Sequence, residues 1–147
     1  MTSAPVPSGI LESALYVDDL DKAEAFYGEV MGLERIAKVE GRHVFFRCGD
    51  GVLLLFDPAE TVKPTKPDAK LPVPPHGAGG DGHLCFRATD AEIDRWKAHL
   101  EAHGIGIEAD FHWPARGDEP NGGRSIYFRD PAGNSLEIAE PRIWGLV

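Results

Sequence analysis

Apolar and polar positions follow the same pattern twice along the chain, and the first copy predicts a strand, a helix and three further strands. Residues 10–17 form an extended apolar run, and apolar residues then recur at the spacing of one helix face. The helix is expected to begin at Asp18 or Asp19, which can cap its first turn, and to end at Gly32. Its apolar stripe consists of Ala23, Phe26, Tyr27, Val30 and Met31. Strands are then predicted at about 34–39, 42–48 and 51–56.

The second copy begins with a predicted strand at 83–88. Thr89 and Glu92 have the spacing of a capping box, which indicates a helix start. Ile93, Trp96 and Leu100 form the helical stripe, and Gly104 is expected to end the helix. Strands are predicted at about 106–111, 124–129 and 135–139, with a strong turn in DPAGN at 130–134.

The two copies are in register with each other, which indicates an internal repeat. Glu12 precedes Asp19 by seven positions, and His83 precedes Asp90 by the same seven. The predicted fold class is therefore α+β, with two βαβββ modules forming a curled mixed sheet around a concavity, where small ligands bind in such folds. The chain of 147 residues is expected to be a single domain, with one module at about 9–57 and the other at about 83–141.

The segment between the modules, residues 58–82, is rich in residues that break regular structure. It contains six prolines and four glycines, so neither a helix nor an inner strand is expected there. A loop of this length inside a small protein is either a linker or a functional flap. We expect this flap to join the modules and to lie over a site.

Composition and charge exclude several classes of partner. The net charge of −9 and the absence of a basic run argue against nucleic acid or an anionic membrane as the main partner. The longest apolar run, 52–56, is too short to span a bilayer. The N-terminal residues have no secretory pattern, and Cys48 and Cys85 have no metal-knuckle spacing, so a cytoplasmic protein is expected.

Strand alternation directs three ionisable side chains to the predicted concavity. Glu12, His83 and Glu137 each fall on the less apolar face of an apolar strand. An unpaired carboxylate in such a position is costly unless it is compensated, and a divalent cation is one natural compensation. One histidine and two glutamates are suitable ligands for Zn, Mn, Ni, Co or Fe. Glu12 also has interpretations other than metal ligation, because its carboxylate can cap backbone N–H groups, pair with Arg87 or lie at a solvated strand end.

Further candidates have both a functional and a structural interpretation. Cys85, Tyr16 and Arg87 share the inward faces, where they either contact a substrate or line the wall. Arg116, with His112 and Trp113, lies in a second long loop that either reaches the cavity mouth or is a solvated hairpin loop. The apolar tail at 143–147 is expected to pack against its own sheet or a second subunit.

Three motifs in this order resemble the vicinal oxygen chelate superfamily, which includes glyoxalases, extradiol dioxygenases, fosfomycin-resistance enzymes and bleomycin-resistance proteins. The motifs are ALYVDDLDKAEAFYGEVMGL at 14–33, GHLCFRATD at 82–90 and RSIYFRDPAGNSLEIAEP at 124–141. The resemblance implies metal ligands at Glu12, His83 and Glu137. The family's fourth ligand position falls within Leu53, Leu54 and Leu55, so the resemblance implies a three-ligand site here.

The resemblance also implies a function and an assembly. We expect a divalent metal ion to chelate two adjacent oxygens of a small substrate, with Glu137 or Glu12 as the catalytic base of lyase or isomerase chemistry. The alternatives are an extradiol-type dioxygenase and a metal-free ligand-binding protein of the bleomycin-resistance type. Fosfomycin modification is less favoured, because the family's threonine is replaced by Ala14. Family members of this size indicate a homodimer.

Overall fold

The computed structural model of the protein describes residues 3–147, which divide into two units. One unit extends to Gly79 and the other runs from Gly80 to Val147. The boundary falls inside the predicted flap, so most of that segment belongs to the first unit. Each unit has its own four-stranded sheet.

The first unit has the predicted order of strand, helix and three strands. Its elements are β1 (Glu12–Tyr16), α1 (Leu20–Ala25), a π-helical turn (Phe26–Val30), β2 (Glu34–Val39), β3 (His43–Cys48), β4 (Gly51–Phe56) and α2 (Pro58–Thr61). The sheet order is β1-β4-β3-β2, with β1 parallel to β4 and the other pairs antiparallel.

Local sequence determines where the first helix begins and ends. Asp19 is the N-cap, and its carboxylate accepts the backbone N–H of Lys22. The predicted stripe is divided between α1 and the π-helical turn, a change of helix type that the pattern did not predict. Gly32 follows with a φ of 73°, the left-handed conformation expected of it.

The two faces of the first sheet differ in burial. Leu15, Val44, Phe46 and Leu55 lie on the face toward the helix and are at most 4% exposed. Tyr27 packs against Phe46 with ring centroids 6.3 Å apart. The opposite face carries every second residue, among them Glu12, Ala14, Tyr16, His43 and Phe45.

The expectation that the flap contains no helix is wrong at its start. Pro58–Thr61 forms the short helix α2, which Asp57 caps by accepting the backbone N–H of Ala59. Proline is compatible with the first helical turn, where its missing N–H has no partner to lose. The rest of the segment contains no helix or strand.

The second unit repeats the order of the first. Its elements are β5 (His83–Arg87), α3 (Asp90–Ala102), β6 (Ala109–His112), β7 (Arg124–Arg129), β8 (Ser135–Ala139) and a 3-10 helix (Pro141–Trp144). The sheet order is β5-β8-β7-β6. Thr89 and Glu92 form the predicted capping box, and Gly104 has a φ of 73°. The α+β fold with two βαβββ modules is therefore confirmed, whereas the shared concavity stays a prediction.

The core of the second unit lies between α3 and its sheet. Ile93 and Leu100 of the helix are fully buried, and Trp96 is half-buried. The sheet contributes Ile126, Phe128, Leu136 and Ile138, none of which is exposed. As in the first unit, the residues between them form the opposite face of the sheet.

The apolar tail is only partly buried. Ile143 is 6% exposed, whereas Trp144 is 75% exposed. The main-chain oxygen of Val147 accepts a hydrogen bond from Arg87 at 2.8 Å. Within residues 3–147, no helix is long and apolar enough to cross a membrane.

Candidate active site

Strands β5 and β8 bring together two of the three predicted metal ligands. The Nε2 atom of His83 lies 3.3 Å from Oε1 of Glu137. The two strands are parallel, with Cys85 opposite Glu137 and His83 opposite Ser135. The Glu137 carboxylate is buried, with 7% of its side chain exposed, whereas half of the His83 side chain is exposed. The pair thus has one buried and one accessible member.

The hydrogen bond at Nδ1 of His83 determines which ring nitrogen carries the proton and which carries the lone pair. Nδ1 lies 2.9 Å from the main-chain oxygen of Ser135, which only accepts hydrogen bonds, so Nδ1 carries the proton. In the neutral ring, Nε2 is then an acceptor, and it faces the oxygen of Glu137. Two acceptors at this distance need a cation between them, either a proton or a metal ion.

The geometry of this pair is compatible with a metal ion. Ligand atoms at about 2.0–2.2 Å from one ion lie about 3–3.5 Å from each other. Histidine ligands also commonly donate their second ring nitrogen to a carbonyl, as His83 does to Ser135. The donor set of one imidazole and one buried carboxylate therefore fits two positions of a divalent ion.

A hydrogen-bonded chain fixes the far oxygen of Glu137. Ser125, which is fully buried on β7, donates to Oε2 of Glu137 at 2.6 Å. The indole N–H of Trp113 donates to the Ser125 hydroxyl at 2.8 Å. Trp113, predicted to contact substrate, is thus placed two hydrogen bonds behind the carboxylate. Ser125 was not identified from the sequence, because its role depends on strand pairing across the turn.

The surroundings of Glu137 disfavour further negative charge. Cys85 has exposed surface, but the protein atoms that crowd its thiol, followed by the Glu137 carboxylate, raise the pKa of this thiol to about 12. The same causes in the same order raise the pKa of Tyr127 to about 12. The ring of Tyr127 is stacked near His83, with centroids 6.1 Å apart. Cys85 is therefore a neutral thiol in this arrangement, which does not favour a nucleophilic role.

The third predicted ligand, Glu12, belongs to the first unit. It lies at the start of β1 and is exposed. In residues 3–147 there is no group of three or more histidine, cysteine, aspartate or glutamate residues arranged to hold a metal ion. The structure thus pairs His83 with Glu137, and the participation of Glu12 stays a prediction.

The strand register identifies the residue that replaces a fourth ligand. In the second unit Cys85 is opposite Glu137, and in the first unit Ala14 is opposite Leu54. Leu54 is therefore the repeat-equivalent of Glu137. It is 9% exposed and belongs to an apolar surface.

The remaining candidates have these positions. Tyr16 donates to or accepts from Nδ1 of His76 at 2.7 Å, within the first unit. Arg87 donates to the main chain of Val147, and Arg116 donates to the main-chain oxygen of Ile143 at 2.6 Å. His112 ends β6 and is exposed. Both arginines therefore have at least one N–H engaged by the C-terminal segment.

The first unit contains a cavity of about 830 Å³ on the same sheet face as Glu12. The residues of this first-unit pocket include Glu12, Ala14, Arg42, His43, Phe45, Leu54, Phe56, Thr61 and His76. Sequence analysis did not identify Arg42, His43, Thr61 or His76. The sequence does contain a signal for part of this pocket, because His43 and Phe45 are alternate residues of one strand and therefore share a face.

Comparison with known proteins identifies the family. The model of the glyoxalase/bleomycin resistance protein/dioxygenase superfamily matches residues 9–138, and the chain belongs to this family. The glutathione transferase FosA of Serratia marcescens is 30% identical over 125 residues, which are 84% of this chain and 74% of the relative.

Solved structures agree with this assignment. A lactoylglutathione lyase from Agrobacterium tumefaciens is 52% identical with a TM-score of 0.84, covering 95% of this chain and 98% of that one. The fosfomycin resistance protein FosX from Mesorhizobium loti has a TM-score of 0.60 at 19% identity, covering 92% of this chain and 93% of that one. The second likeness shows the fold alone.

Proposed function

We propose that this protein is a metal-dependent enzyme that performs lyase or isomerase chemistry on a small carbonyl compound or another substrate with two adjacent oxygen atoms. The observation that carries the proposal is the pair formed by Nε2 of His83 and Oε1 of Glu137, 3.3 Å apart, which needs a cation between its two atoms. A divalent ion can fill this position, because an imidazole nitrogen and a buried carboxylate are both metal ligands.

The name of one similar protein supports lyase chemistry, and the names of two of them point to glutathione. One is called a lactoylglutathione lyase and the other a glutathione transferase. Both names contain glutathione, so adducts of small carbonyl compounds with this thiol are the first substrates to test. Leu54 in place of a fourth ligand distinguishes the proposed site from one with two glutamates on equivalent strands.

His83 and Glu137 would hold the ion, and Glu12 is proposed as the third ligand. When bound, the ion would act as a Lewis acid toward the two substrate oxygens. Ser125 keeps Oε2 of Glu137 hydrogen-bonded, so Oε1 is the oxygen left for ligation or for accepting a substrate proton. Glu12 is exposed and has the freedom to act as the base if Glu137 stays bound.

The oligomeric state decides which chain can supply Glu12 to the proposed metal site. The predicted homodimer contains two copies of Glu12, so the third ligand comes either from the same chain or from the partner. The homodimer and the cytoplasmic location stay predictions. Metal content measured below and above the concentration at which the protein dimerises distinguishes the two sources.

The experiment that tests the proposed function is an activity panel on metal-loaded protein. The adduct of methylglyoxal with glutathione, fosfomycin with glutathione, and catechol with dioxygen represent lyase, transferase and dioxygenase chemistry. We expect turnover of the carbonyl–thiol adduct, loss of turnover with a chelator, and loss in His83→Ala. Turnover that persists in the chelator and in His83→Ala contradicts the proposal.

A metal-free ligand-binding protein is the second candidate function. The observation that favours it is the first-unit pocket, whose apolar walls and volume suit a small ligand without an ion. A protein that binds no divalent metal after reloading, but retains tight binding of a small molecule, would support this alternative.

A further inference from the structure

The first-unit pocket lies between one face of the first sheet and the segment at 60–76, called the covering segment here. Its volume of about 830 Å³ is within the usual range of small-molecule sites, about 300–1,000 Å³. Glu12 lies on its wall, so the pocket adjoins one proposed ligand of the metal. The other residues of the wall include aromatic rings, an arginine and a buried hydroxyl group.

The covering segment is attached to the sheet by specific contacts. The side chains of His76 and Tyr16 are hydrogen-bonded at 2.7 Å, and the His76 ring packs edge-on against Phe56 with centroids 4.6 Å apart. The backbone N–H of His76 donates to the main-chain oxygen of Thr61, and Thr65 donates to that of Val73. The pocket is therefore preformed and not a gap under a loose loop.

Flat rings form the sheet side of the pocket. His43 and Phe45 are stacked, with centroids 4.1 Å apart and planes at 9°. Phe45 meets Phe56 edge-to-face with centroids 5.4 Å apart. His43 and Phe45 are half-buried, and because their stacked faces cover each other, their edges and outer faces are the parts left for a ligand. Such a surface favours the face or edge of another flat ring.

One cation on the wall has no carboxylate partner. The guanidinium of Arg42 donates to Nδ1 of His43 at 2.6 Å and lies 5.7 Å from the centroid of the Phe56 ring. Because Nδ1 accepts, His43 is neutral, and burial followed by the charge of Arg42 lowers the pKa of His43. Within residues 3–147, Arg42 forms no ion pair. Lys63, nearby, is already bound by Glu60.

The equivalent arginine in the second unit, Arg124, has the carboxylate partners that Arg42 lacks. The strand registers place Arg42 at the position that corresponds to Arg124. Arg124 is bound by Asp110 at 2.9 Å and by Asp94 at 2.6 Å. Arg42 has a similar place in the fold but no such anions, although the chain as a whole has a net charge of −9. A ligand carboxylate would supply the missing partner.

A buried hydroxyl in the same wall also lacks a partner. Thr61 is 3% exposed, and its Oγ1 is the buried side-chain polar atom in residues 3–147 that makes no hydrogen bond. Buried hydroxyl groups without partners are rare in folded proteins, and they often mark a position where a ligand or water binds. Thr61 lines the pocket, so a ligand oxygen atom that reached this hydroxyl would provide the partner.

We infer that the first-unit pocket binds a flat aromatic carboxylate, with its ring against His43 and Phe45 and its carboxylate on Arg42. The inference rests on the proposed function, because it adds an aromatic carboxylate group to the carbonyl substrates of the site that includes Glu12, for which the glutathione adduct of methylglyoxal tests the reaction class alone. Glu12 is in register with Arg47 through Val52, so Arg42 lies five strand positions, about 17 Å, from Glu12 along the strand direction. The substrate is therefore elongated, with its reacting oxygens at the end away from the carboxylate.

The test is titration of chelator-treated protein with 2-naphthoate, followed by calorimetry and by amide NMR. We expect one site per chain, with shifts at Tyr16, His43 and His76. The neutral probe 2-naphthamide should bind about 10-fold more weakly, since it lacks the charge-assisted contact with arginine. A saturated, non-planar decahydro-2-naphthoate should bind about 5-fold more weakly, because it loses the ring contact.

Variants of two arginines test whether the preference for 2-naphthoate over 2-naphthamide depends on Arg42. Arg42→Gln should weaken 2-naphthoate binding about 10-fold and leave 2-naphthamide binding unchanged. Arg47→Gln is the control, because Arg47 lies on β3, the strand that begins directly after Arg42, but is exposed and paired with Glu34. Equal affinity for the two probes, or wild-type affinity in Arg42→Gln, overturns the inference. The comparison of probes on the wild-type protein remains decisive even if the variant does not fold.

The titration separates this inference from the proposed function. Binding of 2-naphthoate through Arg42 in a protein that never binds a metal would contradict the proposed enzyme and leave the aromatic carboxylate site in place. Metal binding at His83 and Glu137 without selective 2-naphthoate binding would contradict the inference alone.

Discussion

The two units have the same topology and register, but their sheets present different chemistry on the corresponding face. His83, Cys85, Tyr127 and Glu137 in the second unit correspond to Glu12, Ala14, Phe45 and Leu54 in the first. The second unit thus has a buried carboxylate held by polar partners, and the first has an aromatic surface over a pocket. The repeat preserves the scaffold, and single substitutions at equivalent positions distinguish the proposed metal site from the proposed ligand pocket.

The most disruptive change is to give the first unit the carboxylate of the second. Leu54→Glu places an unpaired carboxylate among apolar residues without the serine that supports Glu137. We expect a loss of about 2–4 kcal/mol in the free energy of unfolding, measured by urea denaturation. Leu54→Met conserves volume and should cost less than about 1.5 kcal/mol. Equal effects of the two variants would show that Leu54 tolerates charge.

The second prediction concerns the arginine that is bound by carboxylates. Hydrogen bonds from Arg124, and to a smaller extent from Lys97, hold the pKa of the Asp110 carboxyl well below its usual range, against the opposing effect of burial. Asp110→Asn should therefore lower the free energy of unfolding by about 1–3 kcal/mol at neutral pH, measured by urea denaturation. Asp118→Asn, in an exposed loop, is the matched control.

The ion pair between Arg124 and Asp110 also predicts how stability depends on pH. Because the folded pKa of Asp110 is depressed, its stabilising contribution is complete above the unfolded pKa of about 4 and is lost as the pH falls toward the folded value. Wild-type stability should decrease over this acidic range more steeply than that of Asp110→Asn. Parallel pH profiles of the two proteins would contradict the assignment.

The third prediction tests whether Ser125 positions Glu137, the carboxylate of the proposed metal site. Ser125→Ala removes the donor to Oε2 of Glu137 and should weaken metal binding by about 10–100-fold, measured by competition with a chelator. Ser135→Ala is the control, because the main-chain oxygen of Ser135 that accepts from His83 remains. Equal metal affinity of the two variants would assign Ser125 a purely structural role.

The smallest effect is expected at Thr61. Since its hydroxyl has no partner, Thr61→Val should leave the free energy of unfolding unchanged or raise it by up to about 1 kcal/mol. The same variant should weaken 2-naphthoate binding a few-fold if the ligand completes the hydrogen bond. Thr65→Val removes a bond to Val73 and should destabilise the covering segment instead. Destabilisation by Thr61→Val would show that its hydroxyl is satisfied.

Local signals made much of the fold predictable. Asp19 and Thr89 cap helices through their own side chains, and Gly32 adopts a conformation that glycine favours, so these boundaries follow from nearby residues. Alternation along β5 and β8 was enough to place His83 and Glu137 on one face. The repeat then supplied the strand order for both units.

Features that depend on distant parts of the chain were not predictable in the same way. The hydrogen bond from Trp113 to Ser125 joins a loop to a strand, and no spacing in the sequence encodes it. His76 reaches Tyr16 across 60 residues, so its role in the pocket could not be inferred from the proline-rich segment alone. The proline content of the segment predicts no helix there, whereas Pro58 occupies the first turn of the short helix Pro58–Thr61, a position that proline tolerates.

The most direct test of the account is the metal content of three proteins purified without a tag and reloaded with divalent ions. Wild-type protein and Glu101→Gln, a change at an exposed helical glutamate, should each retain about one ion per chain. Glu137→Gln should retain less than about a tenth of that, because the buried carboxylate opposite His83 is lost. Equal metal in all three proteins, or none in the wild type after reloading, would contradict the proposed metal site.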